Sequence, residues 1–175
     1  MDMRQRNRVV IENVRPSVDC GRFPVKRIVG QRVTVEADIF AEGHDELACT
    51  VLFRRAGASS WQSCHMTHLG NDVWRGSFLV EEVGEYEFAV SARVDAVRTW
   101  QARLQKRLSL GEDVATDLLV GATLLKEAAA EVDGSYRDAL LERAQHVRAA
   151  ATPEEASELA QDAGLALLVG AHGHG

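Results

Sequence analysis

Cys64-His65-Met66-Thr67-His68 brings three metal-ligating side chains within five positions. A structural zinc ion needs four such ligands converging on one point. On a strand, Cys64 and His68 face one side and His65 the other, so the three cannot meet. No CxxC pair or second cluster supplies the missing ligands. His172 and His174 lie in the tail Gly170-Ala171-His172-Gly173-His174-Gly175, which reads as a frayed terminus. Glu81-Glu82 and Glu85-Tyr86-Glu87 supply carboxylates, but a glycosidase pair must flank a sugar in a cleft. A strand–turn–strand rim accounts for them without catalysis. No nucleophile elbow, phosphate loop, dinucleotide fingerprint or HExxH helix occurs. The expectation is a chain with no catalytic residue, no metal and no cofactor.

The aromatic residues leave one binding option. Trp61, Trp74 and Trp100 on a β-sandwich could form a flat platform that stacks on sugar rings. The alternative is that they fill the core between sheets, where large rings normally go. Trp74 shares a face with Phe78 and leans to the core, whereas Trp61 follows the Ala56–Ser60 loop and is evenly balanced.

The elements that would position these residues fall into two kinds. Val33, Val35, Ala37 and Ile39 alternate with Arg32, Thr34, Glu36 and Asp38, the period of a strand with one wet face. Leu47, Cys49, Val51 and Phe53 repeat the pattern, as do Trp74, Phe78 and Val80, and then Tyr86, Phe88, Val90, Ala92 and Val94. A further strand is expected at Val9–Val14. Turn signals separate the runs at Glu42–Asp45, Ala56–Ser60, Gly70–Asp72 and Val83–Glu85. Short strands so punctuated predict an immunoglobulin-like β-sandwich. Trp100, Ala102, Leu104, Leu108 and Leu110 keep period two, although Trp100, Leu104 and Leu108 also suit a helix. Trp100–Leu110 is therefore read as a last strand.

Beyond it the pattern is helical. Val114, Leu118, Ala122, Leu125, Ala129 and Val132 make one apolar stripe that Asp113 can cap. Asp133-Gly134 ends it, and Ser135 opens a second helix carrying Tyr136, Leu140, Ala144 and Val147. Thr152, Pro153 and Glu155 form a capping-box start for a third, which carries Ala156, Leu159, Ala160, Ala163 and Leu167 to Gly170. Such short helices must pack together or dock elsewhere. The expected fold is α+β: an immunoglobulin-like β-sandwich over residues 1–110, then a three-helix bundle, inserted or appended, over residues 111–175.

Charge divides at the same place. The first 110 residues carry a net +2 and the remaining 65 a net −8, for −6 in all. Nine of the ten aromatics lie at or before Trp100. The acidic balance argues against a nucleic-acid partner, and no apolar run is long enough for a membrane-spanning helix. Cys20, Cys49 and Cys64 are an odd set read as reduced thiols, and the start lacks a signal peptide, so a cytoplasmic location is expected. A complete barrel enzyme needs about 250 residues and does not fit in this length.

A series of blocks adds a resemblance. Arg8–Pro16, Gly21–Arg27, Val29-Gly30, Val35–Asp45, Gly70–Phe78 and Gly84–Phe88 follow one another in order and spacing. Together they resemble the N-terminal region of the bacterial α-1,4-glucan:maltose-1-phosphate maltosyltransferases, of the α-amylase superfamily. Arg93, two residues ahead of Asp95, and Val97 depart from the aromatic residues usual there. The resemblance implies a non-catalytic fragment whose sequence would run on into a barrel carrying an aspartate nucleophile and a glutamate acid/base. That barrel would transfer maltosyl units from maltose 1-phosphate to an α-1,4-glucan, a glycogen-like polymer. It also implies a homodimer, with these domains bracing the barrel; α-glucan binding by the β-sandwich is the alternative.

Overall fold

Alternation of apolar and polar residues leaves a strand one stable choice, to bury one face against a second sheet. The computed structural model describes residues 9–17 and 26–170, and within them it has two antiparallel sheets and five helices, an α+β fold. The chain divides into two compact units, Met1–Val94 and Asp95–Gly175. Cys20, most of the Gly21–Arg27 block, and His172 and His174 lie outside the described residues.

The first unit holds β1 (Val9–Arg15), β2 (Arg32–Ala41), β3 (Leu47–Arg55), β4 (Gln62–His65), β5 (Thr67–Gly70), β6 (Val73–Leu79) and β7 (Tyr86–Val94). One sheet runs β1-β2-β6-β5 and the other β4-β3-β7. The predicted inward residues Val33, Val35, Ala37, Ile39, Leu47, Cys49 and Val51 are buried in one core with Met66, Phe78 and Val80. Phe53 of β3 stacks on Phe78 of β6, ring centroids 4.3 Å apart, so the two sheets meet across this core. Gly76 keeps β6 close to its neighbours: a Cβ there would stand 2.9 Å from Val51 Cγ2 and 3.1 Å from Met66 Cγ.

The second unit corrects the reading of Trp100–Leu110. That segment is helix α1 (Ala96–Ser109). Val97, Trp100, Gln101 and Leu104 are its buried residues, at a spacing of three and four that a strand would not bury together. Asp95 caps it, its carboxylate accepting from Arg98 N at 3.0 Å. The period-two run Trp100-Ala102-Leu104 was coincidental, because Ala102 faces water. The units therefore part between Val94 and Asp95 instead of at residue 110.

Five helices replace the expected three: α2 (Ala115–Ala130), α3 (Gly134–Ala149), α4 (Pro153–Gln161) and α5 (Ala163–Gly170) follow α1. The stripes of α2 and α3 are buried as their spacing requires. Asp113 bonds Ala115 N at 3.0 Å, although Val114 is the cap residue. Thr152 and Glu155 form the capping box that starts α4, and the Ala151 and Thr152 backbone N–H groups hold the Glu155 carboxyl below its ordinary pKa. The expected third helix breaks at Asp162, whose backbone is extended. Its carboxylate accepts from Gly164 N at 2.8 Å and from Arg143 at 3.2 Å, so it restarts the chain as α5. The break turns Leu165 fully inward and leaves Leu167 exposed, the reverse of an unbroken stripe.

Trp100 closes the helical core. Its ring lies against Gly121 of α2, where a Cβ would fall inside the van der Waals contact distance of Cζ2 and Cε2. Its Nε1 donates to the Asp117 carbonyl at 2.6 Å. Gly121→Ala should therefore force the indole out of place and cost about 1–3 kcal/mol, read as a lower denaturant midpoint at unchanged m-value. A midpoint equal to that of the parent chain would refute this packing.

Candidate functional site

The Cys64–His68 segment is not one strand. Cys64 and His65 end β4 in one sheet, and Thr67 and His68 begin β5 in the other. Met66 makes the crossing, buried, its N–H bonded to the Cys49 carbonyl at 2.9 Å. The potential ligands thus belong to different sheets. Among the described residues no three His, Cys, Asp or Glu side chains gather around a point that could hold a metal ion. His68 lies against the Trp74 ring, centroids 4.9 Å apart.

One carboxylate of the β6–β7 turn and one at the start of β7 meet arginines of β3. Glu82 pairs with Arg55 at 2.7 Å, and Glu87 receives both Nε and Nη2 of Arg54 at 2.8 Å. Glu82 and Glu87 are thus each engaged by a guanidinium of β3. Burial pushes the Cys49 thiol up to about 12 and also raises Cys64. At pH 8 Cys49 is then a thiol, which does not attack alkylating reagents. Iodoacetamide at that pH should leave Cys49 unmodified until the chain is unfolded, as peptide mass spectrometry would reveal. Rapid labelling of folded Cys49 would contradict its burial.

The three tryptophans take three different environments and make no common platform. Trp100 is 4% exposed inside the helical unit and offers no face to a ligand, which removes it as a stacking residue. Trp74 is partly buried against the core of the first unit, with its Nε1 donating to the Ile39 carbonyl at 3.1 Å and His68 beside its ring. Trp61 is different: it is 43% exposed, and the Arg54 guanidinium lies over its ring at 4.3 Å from the centroid. The i+2 alternation of β4 and its register with β3 put Trp61 on the side of Ser63, Leu52 and Arg54, away from the core. Sequence alone left Trp61 undecided because the decisive partner, Arg54, lies on the neighbouring strand.

Acrylamide separates these environments. In single-tryptophan variants, Trp61 emission should be quenched strongly and Trp100 emission weakly, since quenching requires contact with the indole. Equal quenching of the two would contradict the placement.

The whole chain resembles one family. Residues 7–174 match the family model described as Alpha-1,4-glucan:maltose-1-phosphate maltosyltransferase, domain N/S. A protein of that name from Chlorobaculum tepidum is 50% identical over 125 residues, covering 71% of this chain and 19% of the relative. The Myxococcus xanthus protein is 44% identical over 126 residues, 70% of this chain and 19% of the relative. The Salinibacter ruber protein is 35% identical over 165 residues, 89% of this chain and 24% of the relative. The chain thus spans about a fifth of the length of these relatives. It belongs to the α-1,4-glucan:maltose-1-phosphate maltosyltransferase family, of which it forms the N-terminal N/S region.

Proposed function

We propose that this chain is the non-catalytic front of a cytoplasmic maltosyltransferase that extends a glycogen-like α-1,4-glucan from maltose 1-phosphate. Its role is structural: it pairs two copies of the enzyme and braces a catalytic barrel lying elsewhere in the protein. The observation that carries this is the outer face of α2. Leu119 is 52% exposed and Val120 45%, and with Thr116, Thr123, Leu124 and Glu127 they line a shallow groove. Apolar residues so placed on a helix already packed on its other side are suited to a macromolecular partner.

The first unit supports the same reading. Its sheet orders, β1-β2-β6-β5 and β4-β3-β7, fit an immunoglobulin-like β-sandwich in which β7 occupies the position of strand F. Among the described residues β7 pairs only with β3, and its nine residues offer a hydrogen-bonding edge to a further segment of the protein. The helical unit contributes a helix bundle of the kind that presents faces to neighbours.

A second reading is favoured by one observation, the exposed Trp61 ring: the β-sheet unit also holds the glucan. The name of the relatives includes an α-1,4-glucan, the polymer such a surface would bind.

Light scattering tests the structural role. At tens of micromolar the chain should be a dimer, and Leu119→Lys with Val120→Lys should return it to a monomer with an unchanged helical spectrum. A parent chain that is monomeric at that concentration would defeat self-association through α2.

A further inference from the structure

We infer that Trp61, Arg54 and Glu87 form a preorganised stacking site for one pyranose ring of an α-1,4-glucan, with Arg54 and Glu87 acting as positioning residues. This rests on the glucan-binding reading and specifies its site.

A large ring exposed on a sheet surface needs a reason to stay in one orientation. Trp61 has one: the central carbon of the Arg54 guanidinium stands over the ring, 4.3 Å from its centroid. That guanidinium is itself tied down at every nitrogen. Nε and Nη2 reach Glu87 at 2.8 Å, and Nη1 donates to the Ala58 carbonyl at 3.2 Å. Arg54 therefore links β3, β7 and the Ala56–Ser60 loop, and Trp61 rests on the product. Glu87 also balances the guanidinium charge.

With Arg54 over one face, a ligand that stacks on the indole would have to use the other. A sugar ring presents C–H bonds on its faces and hydroxyls around its rim. An isolated aromatic surface bordered by polar groups matches that distribution. Here the surroundings are mostly polar: Ser63 and Arg54 share the outward face with Trp61, Leu52 on that face is only partly exposed, and Ser59 and Ser60 precede the ring in an exposed loop. A protein partner would call instead for a contiguous apolar patch around the ring. Because the ring is held before ligand arrives, little freedom is lost on binding.

Affinity electrophoresis of the full chain in gels containing glycogen tests the site, with maltoheptaose as the soluble competitor. The parent chain should be retarded, and maltoheptaose should relieve the retardation. Trp61→Ala should weaken retardation about tenfold, the loss of one stacked contact. Trp61→Phe should retain part of it. Glu87→Ala should leave the ring in place but less constrained, so retardation weakens about threefold while acrylamide quenching of Trp61 increases. Retained thermal unfolding in each variant separates loss of the site from loss of the fold. Absence of retardation in the parent chain would overturn both this site and the glucan-binding reading. Retardation unchanged in Trp61→Ala would overturn the site alone and place glucan on another surface. Glu87→Ala identical to the parent in both measurements would overturn the positioning role.

Discussion

The helical unit depends on one fit, an indole against a glycine. Trp100 is the largest side chain in that core, and it reaches its place only because Gly121 has no Cβ. Everything near it is arranged around the same corner. Its Nε1 bonds the carbonyl of Asp117, while the carboxylate of Asp117, itself buried, is met by Arg107 one helix away at 2.8 Å. Glu112 takes a second nitrogen of Arg107 at 2.7 Å. These carboxylates raise the pKa of the guanidinium, first through the Glu112 hydrogen bond and then through the Asp117 charge. A buried carboxylate without such a partner would be costly. Trp100, Arg107, Asp117 and Gly121 thus fix how α1 lies on α2. On the other side of α1, Gln101 donates to the carbonyls of Leu159 and Asp162 and ties in the α4–α5 break.

This corner also explains what could and could not be read from residue order. The strands of the first unit were legible because their alternation is local: each of Val33, Val35, Ala37 and Ile39 is buried as its parity requires. The capping box at Thr152 was legible for the same reason, since its two hydrogen bonds span three residues. The segment after Asp95 was ambiguous because Trp100, Leu104 and Leu108 satisfy both periods. What decided it was the Asp95 cap and a Gly twenty-one positions beyond Trp100. The break at Asp162 depends on Arg143 and Gln101, both distant in sequence. Trp61 was undecided for a similar reason, because its environment is made by Arg54 and Glu87 from other strands.

The two units use charge differently. In the β-sheet unit, ion pairs sit on outward positions and join neighbouring strands, as Arg75 does with Glu36 at 2.6 Å. Such exposed pairs contribute little to stability and more to the choice of register and surface. The acidic excess of the helical unit is spent partly at helix starts, where Asp95, Glu154 and Glu155 meet positive helix ends. The net charge of −6 is therefore an average over two surfaces of unlike construction.

Met66 passes the chain between sheets with no residue to spare. Its amide is bonded in the register of β3 on one side, and Thr67 enters the register of β6 on the other. Any change of length here would have to be absorbed by one ladder or the other, and a single step exchanges the inner and outer faces of a strand. The Ala56–Ser60 connection joins two strands of one sheet, whereas residue 66 works as a fixed gauge between two patterns. Divergence in chain length among relatives should collect on the loop side of β4 and avoid the crossing.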